Sequence, residues 1–376
     1  MNSLIYLDNG ATTPPDPEIL AGIAERASRF YGNPGSGHRL GQEARDLLHE
    51  SRERLARAFG GRSQDVILTG GGTEALGLGI LGSAGDRPGR IAISAVEHSA
   101  VKESARRLET RFGWTVDTIA VDDEGRVCLD SLRKTITRET RIVATMLVNN
   151  EIGSINDIPT ISKIVHDISP RARLVVDAVQ GFGKLDFSAQ TLGADCIAVA
   201  AHKIHGPKGC GALWSRHALR PILKGGGQEG GRRGGTQSAS MAWALAEAYE
   251  RQRAAHEPVR ALRDKLWAGL QEAFPDAKLT GSPLGPWRVE NHLHLCIPGI
   301  PSEPLINALS QAQVCASGGS ACSTGKFSAV LTALGRKPEE GAFVRLTVGR
   351  FNTLAEMDIA VERMASVVAE LRSVYA

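Results

Sequence analysis

Lys203 stands just beyond an apolar run, Cys196 to Ala201, and just before the turn Gly206-Pro207-Lys208-Gly209. The run has the length and content of a short buried strand, and the glycines and proline after it mark a tight turn. An amine held at a strand end can condense with an aldehyde or ketone to form a Schiff base. A lysine in that position more often only solvates the strand end, since unpaired lysine is rarely buried. A second residue changes the reading. Leu174 to Val176 form another apolar run, and it ends at Asp177. The spacing suits strand, connection, strand. Neighbouring parallel strands would bring Asp177 and Lys203 to one edge of a sheet, where open α/β sheets bind ligands. Alone, Asp177 reads equally well as a helix cap or turn residue. Together, a carboxylate for a pyridinium nitrogen and an amine for an aldehyde carbon match the needs of pyridoxal 5'-phosphate (PLP).

Other residues could complete such a site. Gly70-Gly71-Gly72-Thr73-Glu74 follows an apolar run and opens a helical pattern. Backbone N–H groups at a helix start, with a threonine hydroxyl, can hold a phosphate. The run is neither GxGxxG nor a Walker loop, so an NAD site is disfavoured, and by itself it is equally a plain turn. Glu97-His98 follows the run Ile91 to Ser94. A strand-end histidine is usually structural, but beside a PLP ring an imidazole can stack and carry protons. Cys322 lies among small residues, Gly319 to Gly325. It is either an inert thiol in a turn or a nucleophile on a mobile loop. With an ordinary pKa near about 8.5, it would need local activation at neutral pH. Arg345 and Arg350 both fall in the segment Val344 to Phe351. Either could fork onto a carboxylate or be a surface cation.

These groups need elements to position them. Apolar runs at 66–69, 90–94, 116–121, 142–148, 174–176, 196–201 and 212–214 alternate with polar or helical stretches. That alternation predicts a mostly parallel sheet covered by helices. Helices are expected over 17–31 and 37–59, and over 239–273 with a break near Pro258. Further on, strands at 292–297 and 344–348 with helices at 303–313 and 354–373 suggest a smaller second domain. The composition is that of an ordinary globular enzyme: 42% hydrophobic and 23% charged residues. A net charge of +3 over 376 residues gives no case for nucleic-acid binding. No apolar run is long enough to span a membrane, and the first residues do not read as a secretory signal. Six cysteines without CxxC spacing argue against a metal site or disulfide framework and for a reducing cytoplasm.

The motifs also fall in a recognisable order. They are Tyr6 to Thr13 (YLDNGATT), Gly32 to Ser36 (GNPGS), Gly71 to Glu74 (GGTE), Glu97-His98, Val148 to Gly153 (VNNEIG) and Val176 to Gln180 (VDAVQ). After these come His202 to Gly209 (HKIHGPKG), Gly225 to Glu229 (GGGQE), Arg233 to Thr236 (RGGT), Gly319 to Cys322 (GSAC) and Arg345 to Phe351 (RLTVGRF). Over essentially its whole length the chain resembles the cysteine desulfurases, PLP enzymes of the class V aminotransferase group. The likeness is greatest to the nitrogen-fixation and iron–sulfur-cluster type. The resemblance implies the PLP-dependent transferase fold (fold type I): an α/β architecture with a large, mostly parallel seven-stranded sheet and a smaller α+β domain. The PLP-binding domain would span 15–257. The smaller one would combine 1–14 with 258–376 and carry the catalytic cysteine loop.

The resemblance also assigns roles. Lys203 would hold PLP, Asp177 would pair with its ring nitrogen, and His98 would stack on the ring and assist proton transfer. Asn150 and Gln180 would hydrogen-bond the ring face and phenolic oxygen. Gly72, Thr73 and His202 would hold the phosphate, with Thr236 reaching across to the other subunit of a homodimer. Asn33, Asn150 and Arg345 would orient the carboxylate of L-cysteine. Cys322 would take the sulfur as a persulfide, leaving L-alanine. The sulfur would pass to an acceptor protein serving iron–sulfur cluster assembly, tRNA thiolation or DNA sulfur modification. A selenocysteine or C–S lyase, in which Cys322 is dispensable, is the alternative activity; a scaffold that binds a sulfur carrier is the non-enzymatic one.

Some positions depart from the family pattern. Ala200 replaces a serine that would hydrogen-bond the phosphate, a charge-assisted bond worth about 1.5–3 kcal/mol. The helix after Thr73-Glu74 lacks a frequent asparagine, and Arg233 to Thr236 reads RGGT rather than RSGT. The segment after Cys322, Ser323 to Gly335, is shorter and lacks a Glu-Pro-Ser stretch. A shorter loop implies less reach, hence fewer acceptors or slower transfer.

Overall fold

A computed structural model of the chain describes residues 4–318 and 327–375. In chain order its strands are β1 (Ile5–Tyr6), β2 (Val66–Thr69), β3 (Arg90–Ser94), β4 (Thr115–Ile119), β5 (Thr140–Met146) and β6 (Arg173–Asp177), followed by β7 (Cys196–Ala200), β8 (Gly211–Ser215), β9 (Lys278–Leu279), β10 (His292–Ile297), β11 (Val314–Cys315) and β12 (Ala342–Thr347). Seven of them form one sheet in the order β2-β8-β7-β6-β5-β3-β4. Strand β8 runs antiparallel to both neighbours, and the other pairings are parallel.

The central strands are buried on both faces, which is why they read as continuous apolar runs rather than alternating ones. Val143, Leu174, Val176, Ile197 and Val199 point to one side, onto helices 39–59, 158–168 and 239–253. Ile142, Ala144, Val175, Cys196 and Ala198 point to the other, onto helices 72–81 and 99–112. This period-2 division sets every strand-end residue at a defined height and face.

A second core lies outside this sheet. Strands β12, β10 and β9 form an antiparallel sheet. Leu293, Leu295, Val344 and Leu346 from it pack with Leu266, Leu305, Met357 and Met364 from helices 256–273, 302–311 and 354–375. Strand β1 pairs in parallel with β11, Ile5 opposite Val314, so the first residues join this second core.

Two expected boundaries move. The helix expected from 37 starts at Arg39, because the His38 Nδ1 accepts from Gly41 N at 3.2 Å and caps it. The break expected near Pro258 falls instead at 254–255, between helices 239–253 and 256–273. Pro258 sits in the first turn of the second helix, where a missing N–H leaves no bond unmade. No helix among the described residues is long and apolar enough to cross a membrane.

Candidate active site

The parallel β6–β7 pair sets the site. Asp177, the last residue of β6, lies opposite Ala198. Strand β7 continues to Ala200, and one 3-10 turn, Ala201–Lys203, redirects the chain. Asp177 and Lys203 thereby line one cavity of about 600 Å³ at the carboxyl ends of the strands. Gly72, Thr73, His98, Asn150, Gln180, His202 and Arg345 line it too.

Asp177 is 6% exposed. Burial pushes its carboxyl up, against the pull of the Val179 N–H, His98 and Lys203. Its Oδ1 accepts from Val179 N at 3.0 Å. A carboxylate this deep calls for a donor to face it. The Lys203 amine donates to Gly10 O at 2.8 Å and Ala11 O at 2.6 Å. Burial, then the charge of Arg345, pulls it down to about 8. Gly10 is itself tied to β12, its N–H donating to Thr347 Oγ1 at 2.7 Å. The segment Tyr6 to Thr13 thus forms a cover over the lysine.

At the far end of the cavity, Gly71 has φ 150°, a value that favours glycine, and it starts the helix Gly72–Leu81. A Cβ on Gly72 would lie 2.8 Å from Val179 Cγ2, so only glycine lets the helix start approach the wall. The first bond back to the N-cap is Ala75 N to Gly71 O. The N–H groups of Gly72, Thr73 and Glu74 precede it and have no carbonyl to meet within the helix. His202 stands beside them. Burial and then Lys203 and Lys208 push its imidazole down to about 4, so it is neutral, with Nδ1 3.2 Å from Thr12 Oγ1. Ala200 puts only a methyl group on this wall, 3.6 Å from where a Gly72 Cβ would be. An amine with a lowered proton affinity, a buried carboxylate and a cluster of helix-start N–H donors on one cavity fit the aldehyde, ring nitrogen and phosphate of PLP.

His98 caps the helix Ser99–Phe112, its Nδ1 accepting from Ala100 N at 3.1 Å. The structural and cavity-facing readings of this histidine therefore hold at once. Arg345, within β12, donates from Nη1 to Asn150 O and from Nη2 to Asp8 Oδ1, both at 2.7 Å. Its Nε is buried without a partner. Arg350 lies past the end of β12, pairs with Asp16 and packs over the Phe351 ring; it does not line the cavity.

Two expected residues are not brought to the cavity, and a third has no place among the described residues. Asn33 is exposed, its Oδ1 accepting from Gly35 N at 2.9 Å. Thr236 is exposed in the glycine-rich segment before helix 239–253. Cys322 lies outside the described residues. On the described flanks of its segment, Ser317 pairs with Arg345, and Ala329 and Val330 line the cavity.

Sequence reasoning passed over two buried ionisable groups. Glu97 lines the cavity, and burial drives its carboxyl up to about 8. Its Oε1 accepts from Met146 N at 2.9 Å while Oε2 has no partner. Lys184 is 6% exposed and donates to Gln180 Oε1 at 3.1 Å. Lys184 ends no apolar run, and Glu97, though it follows one beside His98, carried no role of its own in the sequence reading.

A family model described as "Aminotransferase class-V" matches residues 5–359. "Cysteine desulfurase 2" of Trichormus variabilis is 35% identical, the match covering 99% of this chain and 95% of the relative. A solved "NIFS-like protein" superposes with TM-score 0.89 at 31% identity, over 98% of this chain and all (100%) of that one. The solved structure "SspA in complex with cysteine" has TM-score 0.81 at 25% identity, covering 93% of this chain and 100% of its own. The chain belongs to the class-V aminotransferase family, in its cysteine desulfurase branch.

Proposed function

We propose that this protein is a PLP-dependent L-cysteine desulfurase. It takes sulfur from L-cysteine, releases L-alanine and passes the sulfur, carried as a persulfide on Cys322, to an acceptor protein. The observation that carries this reading is the meeting of Lys203 and Asp177 with a glycine-started helix on one cavity. The relative solved with cysteine supports the choice of substrate.

PLP, when bound, supplies an aldehyde that takes up amines and a ring that withdraws electrons from the substrate carbon. Lys203 is the residue that attaches it. Held near 8, a useful share of its amine is unprotonated at neutral pH. Asp177 provides the acceptor for the ring nitrogen. Gly72, Thr73 and His202 hold the phosphate, with Thr236 reaching it from the partner of a homodimer. His98 uses Nδ1 to cap its helix, so its proton resides on Nε2, where it can be moved to or from the substrate. Gln180 and Asn150 present amides to the ring. Arg345, with Asn150, orients the substrate carboxylate; Asn33, exposed and away from the cavity, is left out of that set. Cys322 attacks the substrate sulfur: the Sγ–Cβ bond breaks, its electron pair goes to Cβ, and a proton completes alanine. We assign 15–257 to the PLP-binding domain and 1–14 with 258–376 to the smaller one. The proposed location is the cytoplasm, in keeping with the five unpaired cysteines among the described residues.

A single turnover with L-cysteine, followed by alkylation and mass spectrometry, should find an added sulfur on Cys322. Cys322→Ala should lose turnover of L-cysteine. Undiminished turnover in that variant would overturn the persulfide route and favour a C–S lyase.

A further inference from the structure

Lys184 is an unusual residue to find sealed in a protein. The charged groups acting on it are Lys203 and Arg345, both positive, and burial with these two pulls its amine down to about 7. His202 and His205 also feel its charge, and both are held near 4. The amine donates to Gln180 Oε1, at 3.1 Å. A lysine that shows no carboxylate partner among the described residues and is surrounded by cations costs stability, so its place in the fold calls for another explanation.

The turn that carries it is rigid. Lys184 N and Leu185 N both donate to Gly181 O, at 3.0 and 2.9 Å. Phe182, between Gln180 and Lys184, stacks on Phe59 and Tyr249. Gly183 has φ 73°, and a Cβ there would lie 3.0 Å from Gln252 Cγ. The amine is therefore delivered to one point, four residues on from Gln180.

At that point it settles the orientation of the Gln180 amide. A protonated lysine amine has only donors to offer, so its bond to this atom is consistent with Oε1 being the oxygen. At the other end of the same amide, Nε2 donates to Gly10 O at 2.8 Å, a carbonyl that can only accept. Both ends agree, so Gln180 must present N–H, not C=O, on its cavity side. Gly10 O is shared with Lys203, which links the amide to the attachment point.

We propose that Lys184 is a positioning residue for the cofactor chemistry: it locks Gln180 as a hydrogen-bond donor and, in its protonated form, places positive charge behind it, favouring an anionic oxygen on the bound ring. The inference rests on the reading that the cavity holds PLP and that Gln180 faces the phenolic oxygen.

The test is the pH titration of the visible absorbance of the holoenzyme. Stabilising the anionic oxygen makes proton loss easier, so removing Lys184 should raise the midpoint. In Lys184→Met the shift should be upward by about one pH unit, roughly tenfold in proton affinity, the size of one charge-assisted hydrogen bond. Gln180→Leu should move the midpoint the same way, and the double variant should shift no further than the larger single one, since both act through one amide. Lys184→Gln keeps an N–H donor and should recover part of the shift. An unmoved midpoint in Lys184→Met, or fully additive shifts in the double variant, would overturn the inference, whatever happens to the unfolding temperature. If the methionine variant does not fold, Lys184→Ala takes its place, with the same upward shift expected and an unmoved midpoint equally fatal. A wild-type protein without a visible band after PLP addition would instead reject the PLP reading itself.

Discussion

Asp177 and Asp195 sit at opposite ends of neighbouring central strands and differ in one respect that matters. Both are nearly sealed, at 6% and 3% exposure. Asp195 is saturated with donors: Leu174 N at 2.8 Å, His166 Nε2 at 3.2 Å and His217 Nε2 at 3.0 Å. Burial works to raise its carboxyl, but these hydrogen bonds outweigh burial and hold it below the ordinary value. Asp177 has Val179 N, and burial wins. A buried carboxylate with its needs met is a brace; one left short at a cavity wall is a binding group. Both are buried aspartates; the count of donors and the cavity beside Asp177 separate the two.

Asparagine at each position should widen that contrast. Asp177→Asn removes the acceptor for a ring N–H and should lower kcat by about 100-fold or more, the scale of losing one preorganised electrostatic contact. It should leave the apoprotein as stable as before or more so, because an under-paired buried charge is gone. Asp195→Asn should do the reverse. It should cost about 1–3 kcal/mol of stability, toward the low end because the histidine partners are 34% and 45% exposed, with turnover per folded molecule unchanged. Steady-state kinetics and urea melts on both variants decide; a large loss of stability in Asp177→Asn would erase the distinction.

The brace also carries a pH signature. The hydrogen bond to Asp195, with its charge, raises the His166 pKa above the ordinary 6.5, although burial opposes it. A raised histidine contributes fully below 6.5 and loses its contribution as pH rises through the folded-state value. Asp195, depressed from 3.8, contributes above that value and loses its contribution as pH falls through the folded-state one. The stability difference between wild type and Asp195→Asn should therefore be greatest between pH 3.8 and 6.5 and should shrink above that window. A difference that grows toward pH 8 would rule out the charged pair.

A smaller effect is expected at the phosphate end, where Ala200 supplies no hydroxyl. Ala200→Ser should tighten PLP binding by about tenfold, the low end of a charged-acceptor hydrogen bond, measured as cofactor retention on dialysis. Unchanged retention would mean that the helix-start N–H groups already saturate the phosphate.

Much of this was legible along the chain because strand ends are legible. An apolar run that stops at a charged residue announced both Asp177 and Lys203, and a glycine run before a helical pattern announced Gly72 and Thr73. What depended on long-range register was not. Residue type left Arg345 and Arg350 both open, and only the resemblance favoured Arg345; β12 places it inside the strand, where it meets Asp8 from the other end of the chain. The Asp195 brace joins a loop residue to two histidines from separate elements, with nothing local to mark it. Lys184 sits in a turn whose sequence reads as punctuation. Pro258 misled for a simpler reason: a proline in a first turn and a proline that breaks a helix look alike in one dimension. The exposed positions of Asn33 and Thr236 match no feature of this cavity, and nothing local in the sequence set them apart from residues that do line it.

The most direct measurement is on Lys203→Ala. Wild-type protein with PLP should show the visible absorbance of attached cofactor and release alanine from L-cysteine. The variant, folded by circular dichroism and supplied with PLP, should show neither. Retention of both the band and alanine release would contradict attachment of the cofactor at Lys203.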